Sequence, residues 1–183
     1  MNDSCIHIDR ISAGWIDGTI HDEHTVVIFS NSYLENFLDD FMLAILTVLG
    51  EYPTDRHKNT FRAEMEPIIA KWMFSVVKDE IHIHVIEYED DDILSDKTIV
   101  LKTSVFLHDF VKEMTSVLQR YGFWGYRTEW DSEFPLSLFL KIKDIASGAN
   151  NLSLSVIIPQ AENNGVEVKG SDFSLECDIL KGI

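Results

Sequence analysis

Apolar and polar positions change their period several times along this chain, and each change marks an element. In "CIHIDRISAGWIDGTI" (5–20) apolar residues recur at nearly every second position, then yield to the turn-like "HDEH". "TVVIFS" (25–30) follows as a short, continuous apolar run. Period two with turn residues between predicts a β-hairpin over residues 5–30, its second part a buried strand. The period then lengthens. Leu34, Phe37, Leu38, Phe41, Ile45, Val48 and Leu49 repeat at three and four. Ser32 and Glu35 have capping-box spacing and Gly50 stands where a left-handed residue ends a helix, so a helix is predicted over 32–49.

"EYPTDRHKN" reads as a loop. Beyond it, "TFRAEME", Pro67, "IIAKWMFSVV", the turn "KDE" and "IHIHVIEYE" read as antiparallel strands. "DDDILSDK" reads as a solvated turn and "TIVLKT" as a further strand. Ser104 is the expected N-cap of a second helix, with an apolar stripe at Leu107, Phe110, Val111, Met114 and Leu118 and a stop at Gly122. "LSLFLKIKDIA" (136–146) alternates like a strand, but Pro135 at its start and Ala146 favour a helix. After "ASGANN" the chain reads as two or three short strands broken by "PQAENNG" and "KGSD".

Strands, helix, strands and helices in that order predict an α+β fold. An antiparallel β-sheet carries two or three helices packed on one face, with a short C-terminal β appendage. A core of about 5–147 and an extension of about 151–180 are expected to form one domain, because some 35 residues are too few for a core of their own. At 183 residues and 45% apolar content the chain buries ample surface.

Charge narrows the partners. Fifteen Lys and Arg against 31 Asp and Glu leave a formal net charge of −16. Phosphate backbones and anionic membrane surfaces are repelled, so neither nucleic acid nor membrane is an expected partner, whereas a basic protein is permitted. Spread evenly, that charge only keeps the chain soluble; a cluster is needed to orient a partner. "EYEDDD" (87–92) supplies one, with Glu87, Glu89, Asp90, Asp91 and Asp92 at a strand end. Runs of this kind are also what a solvated turn looks like.

Chemistry is harder to find. The residues show no G-x-S-x-G, P-loop lysine or G-x-G-x-x-G. His82 and His84 share a strand face and could hold a transition metal with a carboxylate, or simply belong to the polar face of a half-buried strand. His21 and His24 complete such a site only if folding brings them close. Carboxylates two apart (Glu64 with Glu66, Glu87 with Glu89, Glu129 with Asp131) suit hydrolysis, but 31 acids generate such pairs by accident. Cys5 near His7 looks like a strand start. Two cysteines, Cys5 and Cys177, cannot build a disulfide framework, and the N-terminus lacks a signal-peptide pattern, so a cytoplasmic location is expected. No cofactor is expected.

"YGFWGYRTEWDSEFP" (121–135) concentrates six aromatic rings. Base stacking needs interleaved cations, and only Arg127 is present, so a core role is the better reading. Together with "GWIDG" (14–18), the capped helix at 32–49 and "EMEP" before a strand with Trp72, this stretch resembles a family of uncharacterised bacterial proteins. Those have W-x-x-G near the start and Y-G-x-x-G-Y-x-x-x-W…FP near the end. The matching residues are Tyr121, Gly122, Gly125, Tyr126, Trp130, Phe134 and Pro135; the likeness covers roughly 11–142 and leaves the tail unmatched. The resemblance brings no activity or cofactor. It implies an immunity-type protein, and the acidic run then makes it a non-enzymatic inhibitor expected to bind a basic toxin domain through Glu87, Glu89, Asp90, Asp91 and Asp92. The alternatives are a metal-dependent enzyme centred on His82 and His84, and a structural or dimerisation module using the strands of 152–180.

Overall fold

Burial alternates most sharply in the first three strands, where Ile6, Ile8, Ile16, Ile20, Val27 and Phe29 point inward and their neighbours do not. A computed structural model of the chain describes residues 4–51, 59–153, 155–157 and 168–181. β1 (Ile6–Ser12), β2 (Trp15–His21) and β3 (Val26–Ser32) form a three-stranded antiparallel sheet in that order. The expected hairpin is thus a three-strand meander with its first turn at Ala13–Gly14. β3 is half-buried: Val26 and Ile28 are exposed, because only every second side chain meets the core.

Helix α1 (Phe37–Val48) starts later than the capping box suggested. Ser32 completes β3 opposite Trp15, Asn36 holds the N-cap position, and no side chain caps the helix there. Strand pairing has outcompeted a local hydroxyl cap, since Ser32 completes the ladder by pairing with Trp15. Gly50 closes the helix at φ 72, as its left-handed role requires.

β4 (Thr60–Glu64), β5 (Ile69–Val77), β6 (Glu80–Glu89) and β7 (Asp92–Lys102) form a second antiparallel sheet in sequence order. β7 includes most of "DDDILSDK": only Asp90 and Asp91 turn, and the rest, apart from the bulged Leu94, pairs with β6. α2 (Thr103–Trp130) begins after Lys102, so Ser104 lies within it. Gly122 does break the helix, at φ 62 and ψ 175, but helical structure resumes to Trp130 and takes in Gly125. α3 (Leu136–Ala146) follows Pro135 as expected.

In the tail, β8 (Ser155–Ile157) and β9 (Val168–Gly170) pair with each other. The last segment is helix α4 (Phe173–Lys181), where a strand was expected. Asp172 explains it: its Oδ1 accepts the N–H groups of Ser174 at 2.9 Å and Leu175 at 3.1 Å, an N-cap that the D-x-S-L spacing supplies. The "PQAENNG" break and most of "EYPTDRHKN" lie outside the described residues.

The core joins both sheets through aromatic rings. Phe37 and Phe41 of α1 lie 5.6 and 5.8 Å from Trp72 on β5, Phe29 of β3 lies 5.8 Å from the same indole, and Phe110 of α2 stacks on Phe41 at 5.7 Å. Helices α1 and α2 therefore pack on one face of the four-stranded sheet. The α+β class stands, with seven of the described strands divided between two sheets and β8 and β9 forming a third small one.

Candidate docking surface

Strand register decides where the acids go. Tyr88 faces Ile93 and Glu89 faces Asp92, so Asp90 and Asp91 form the tip of the β6–β7 hairpin, with Asp90 at φ 54. Aspartate tolerates that left-handed conformation better than most residues, which suits it to a two-residue connection. A bulge between Glu87 and Tyr88 leaves Leu94 without an opposite residue. Glu89, Asp90, Asp91 and Asp92 are exposed and Glu87 is half-buried.

The same register carries the row across the sheet. Glu64 pairs with Ile69, Ile69 with Tyr88, and Tyr88 with Ile93. Glu64 and the exposed Glu66 beside it therefore share one end of the sheet with the hairpin tip. Seven acids gather there. Among the described residues none of the seven forms an ion pair or a side-chain hydrogen bond. Carboxylates ~6 Å apart in water repel by ~0.7 kcal/mol each, so this end of the sheet favours an incoming cation.

The histidines are not brought into one site. His84 Nε2 lies 2.6 Å from Asp96 Oδ1, and His82 Nε2 lies 3.9 Å from Glu80 Oε2. His21 sits against the carbonyl oxygens of Ser4 and Asp22, at 3.1 and 3.3 Å, in the β2–β3 corner. Among the described residues no group of three or more His, Cys, Asp or Glu is placed to hold a metal ion. Cys5 is buried and its thiol is pushed up to about 12, first by burial and then by Asp109. A thiol so held stays protonated and unreactive at neutral pH.

The aromatic stretch divides. Tyr126, Trp130 and Phe134 are buried, with Phe134 5.3 Å from Tyr126 and 5.7 Å from Phe139 of α3. Burial, with Asp39 second, raises the Tyr126 phenol. Tyr121 accepts the Ile11 N–H at 2.9 Å. Phe123 and Trp124 remain exposed, so four of the six rings do core work and two do not.

A cavity of about 510 Å³ lies between the end of α1, α3 and the start of α4, lined by Leu46, Leu138, Leu152, Lys141 and Glu51 among others. Lys141 donates to Asn150 Oδ1 at 2.6 Å and the Leu152 carbonyl at 2.7 Å, and pairs with Glu51 at 3.1 Å. Two of these contacts hold the 150–152 segment, and the third ties the ammonium to the chain just beyond α1.

One arrangement went unread in the sequence. α2 lies along the free edge of β1 and satisfies its outward backbone groups one after another. Asp109 accepts the Cys5 N–H (2.9 Å), Glu113 the Ile8 N–H (3.0 Å), Tyr121 that of Ile11 and Glu129 that of Ala13 (3.1 Å). Arg120 donates to the Ile8 carbonyl at 2.8 Å and to Glu113 at 3.0 Å. A signal existed: Asp109 and Glu113 recur at four along the flank of a buried stripe.

Comparison with family models, with curated proteins and with solved structures finds no match. Tyr126, Trp130, Phe134 and Pro135 are buried structural positions. No described helix is long and apolar enough to cross a membrane.

Proposed function

We propose that this chain is a non-catalytic, cytoplasmic protein-binding module of the immunity type, which occludes a basic partner through the acidic end of its four-stranded sheet. One observation carries the reading. The β4–β5 and β6–β7 turns bring Glu64, Glu66, Glu87, Glu89, Asp90, Asp91 and Asp92 to one rigid edge with no cation among the described residues paired to them. Acids so placed raise the encounter rate with a cationic surface and orient it. A basic toxin domain is the partner that the resemblance implies.

Association of the purified protein with an immobilised peptide alternating lysine and serine tests this. The association rate falls by about tenfold or more between about 50 and about 300 mM salt. Asp90→Asn, Asp91→Asn and Asp92→Asn together lower it further at low salt. An association rate indifferent to both salt and the triple substitution overturns the reading. A stoichiometric transition metal in the purified protein, lost with His82→Ala and His84→Ala, favours the metal-dependent alternative instead.

A further inference from the structure

The four-stranded sheet has two unlike faces. Phe61, Ala63, Ala70, Trp72, Phe74, Ile81, Ile83, Val85 and Ile99 are all buried against the helices and the first sheet. The opposite face has no fully buried side chain, and its cross-strand rows can be read from the register. The row nearest the acidic tip is Glu64, Ile69, Tyr88, Ile93; the next is Arg62, Lys71, Ile86, Asp96; the third is Thr60, Met73, His84, Thr98. Apolar side chains thus concentrate toward the acidic end. Ile93 is 61% exposed and the bulged Leu94 51%.

An apolar centre rimmed by charge is the anatomy of a protein interface, in which a central anchor supplies affinity and the rim supplies orientation. Here Glu64 stands at one end of the apolar row with Glu66 beside it, Glu89 to Asp92 form the hairpin tip next to Tyr88 and Ile93, and Arg62 and Lys71 border the row on the side away from the tip. Charge complementarity selects the occupant. A second copy of this chain would bring acid against acid. The tail strands β8 and β9 are paired with each other. Nucleic acid and anionic membranes carry the wrong sign.

Resting on the acidic-end reading, we propose that the Ile69–Tyr88–Ile93 row is the anchor site for a basic protein partner that sets an apolar side chain between its lysines and arginines. The acids then act on arrival, and the apolar row holds what has arrived.

Two short peptides of equal length and charge separate these roles, one alternating lysine with leucine and the other lysine with serine. The lysine–leucine peptide binds at least about tenfold tighter, as burial of one leucine implies. Ile93→Thr, and independently Tyr88→Thr, abolish that preference while leaving the weaker lysine–serine binding intact; Ile28→Thr on the first sheet leaves it unchanged. Threonine keeps strand propensity, and an unchanged circular dichroism spectrum confirms folding. Equal binding of both peptides, or a preference that survives both threonine variants, overturns the anchor while the acidic end stands. If neither peptide binds, the acidic-end reading falls and the anchor falls with it. Tighter binding of duplex DNA than of either peptide overturns both.

Discussion

Glu113 of α2 accepts the backbone N–H of Ile8 at 3.0 Å across the bulge of β1, and the same oxygen takes a hydrogen bond from Arg120 at 3.0 Å. Sequence separates Ile8 from Glu113 by 105 positions, and the contact replaces what a fourth strand would give. Removing a buried acceptor leaves both an amide and a guanidinium short of a partner. Glu113→Ala is expected to destabilise the fold by about 2–3 kcal/mol in urea unfolding, and Glu113→Gln by less, since one amide oxygen still serves Ile8. Equal stability of wild type and Glu113→Ala would show that the helix does not hold this edge.

Gly18 is buried in β2, where a Cβ would run into the His7 carbonyl oxygen and stand 2.6 Å from Phe29 Cζ. Gly122 has a positive φ but nothing within 4 Å. Gly18→Ala is therefore expected to cost about 2–3 kcal/mol by overpacking, and Gly122→Ala about 1 kcal/mol by backbone strain alone. Thermal or urea denaturation of the two variants gives the order; the reverse order contradicts the packing described for the first sheet.

The two cysteines should label unequally. Burial and the Asp109 carboxylate hold the Cys5 thiol protonated, whereas Cys177 on α4 is half-exposed. Titration with a thiol-reactive disulfide at neutral pH is expected to modify one thiol rapidly in the folded protein and the second only on unfolding. Cys177→Ser should remove the fast phase.

Acid should loosen the corner where the two sheets meet. Burial works to raise the Asp22 carboxyl, but hydrogen bonds from the N–H groups of Val100, His24 and Thr25 hold it below the ordinary aspartate range. A folded value below the unfolded one means the folded state binds fewer protons. The stabilisation is thus fully present above roughly pH 4 and is lost as pH falls toward and through the lowered folded value. Asp109 behaves alike, held low against burial by the Cys5 N–H and His108. In Asp22→Asn, stability measured from about pH 5 to about pH 2 should fall less steeply than in wild type.

What the residues disclosed depends on the range of the forces involved. The α3 helix, the β5 and β6 strands and the acidic tip are local matters of period and turn chemistry, and the structure has them where the pattern put them. The start of α1 was missed because two local signals competed: Ser32 can cap a helix or extend a strand, and only its pairing with Trp15 decides. β7 was obscured by charge. Asp92, Asp96 and Lys97 resemble a turn, yet at a sheet edge a charged side chain reaches water without leaving the ladder. α4 alternates weakly and was settled by the Asp172 cap. The acidic end was legible only in part, since Glu64 and Glu66 join the tip through a register that no local pattern specifies.

The belt of hydrogen bonds between α2 and β1 also has a history in time. While the chain is being synthesised, the first sheet emerges early, but its outer strand waits more than a hundred residues for Asp109, Glu113, Tyr121 and Glu129. During that interval its unpaired amides offer a template to any neighbouring nascent strand. Truncation anywhere before residue 109 would make this condition permanent, so fragments carrying β1–β3 alone should cling to one another rather than stay in solution.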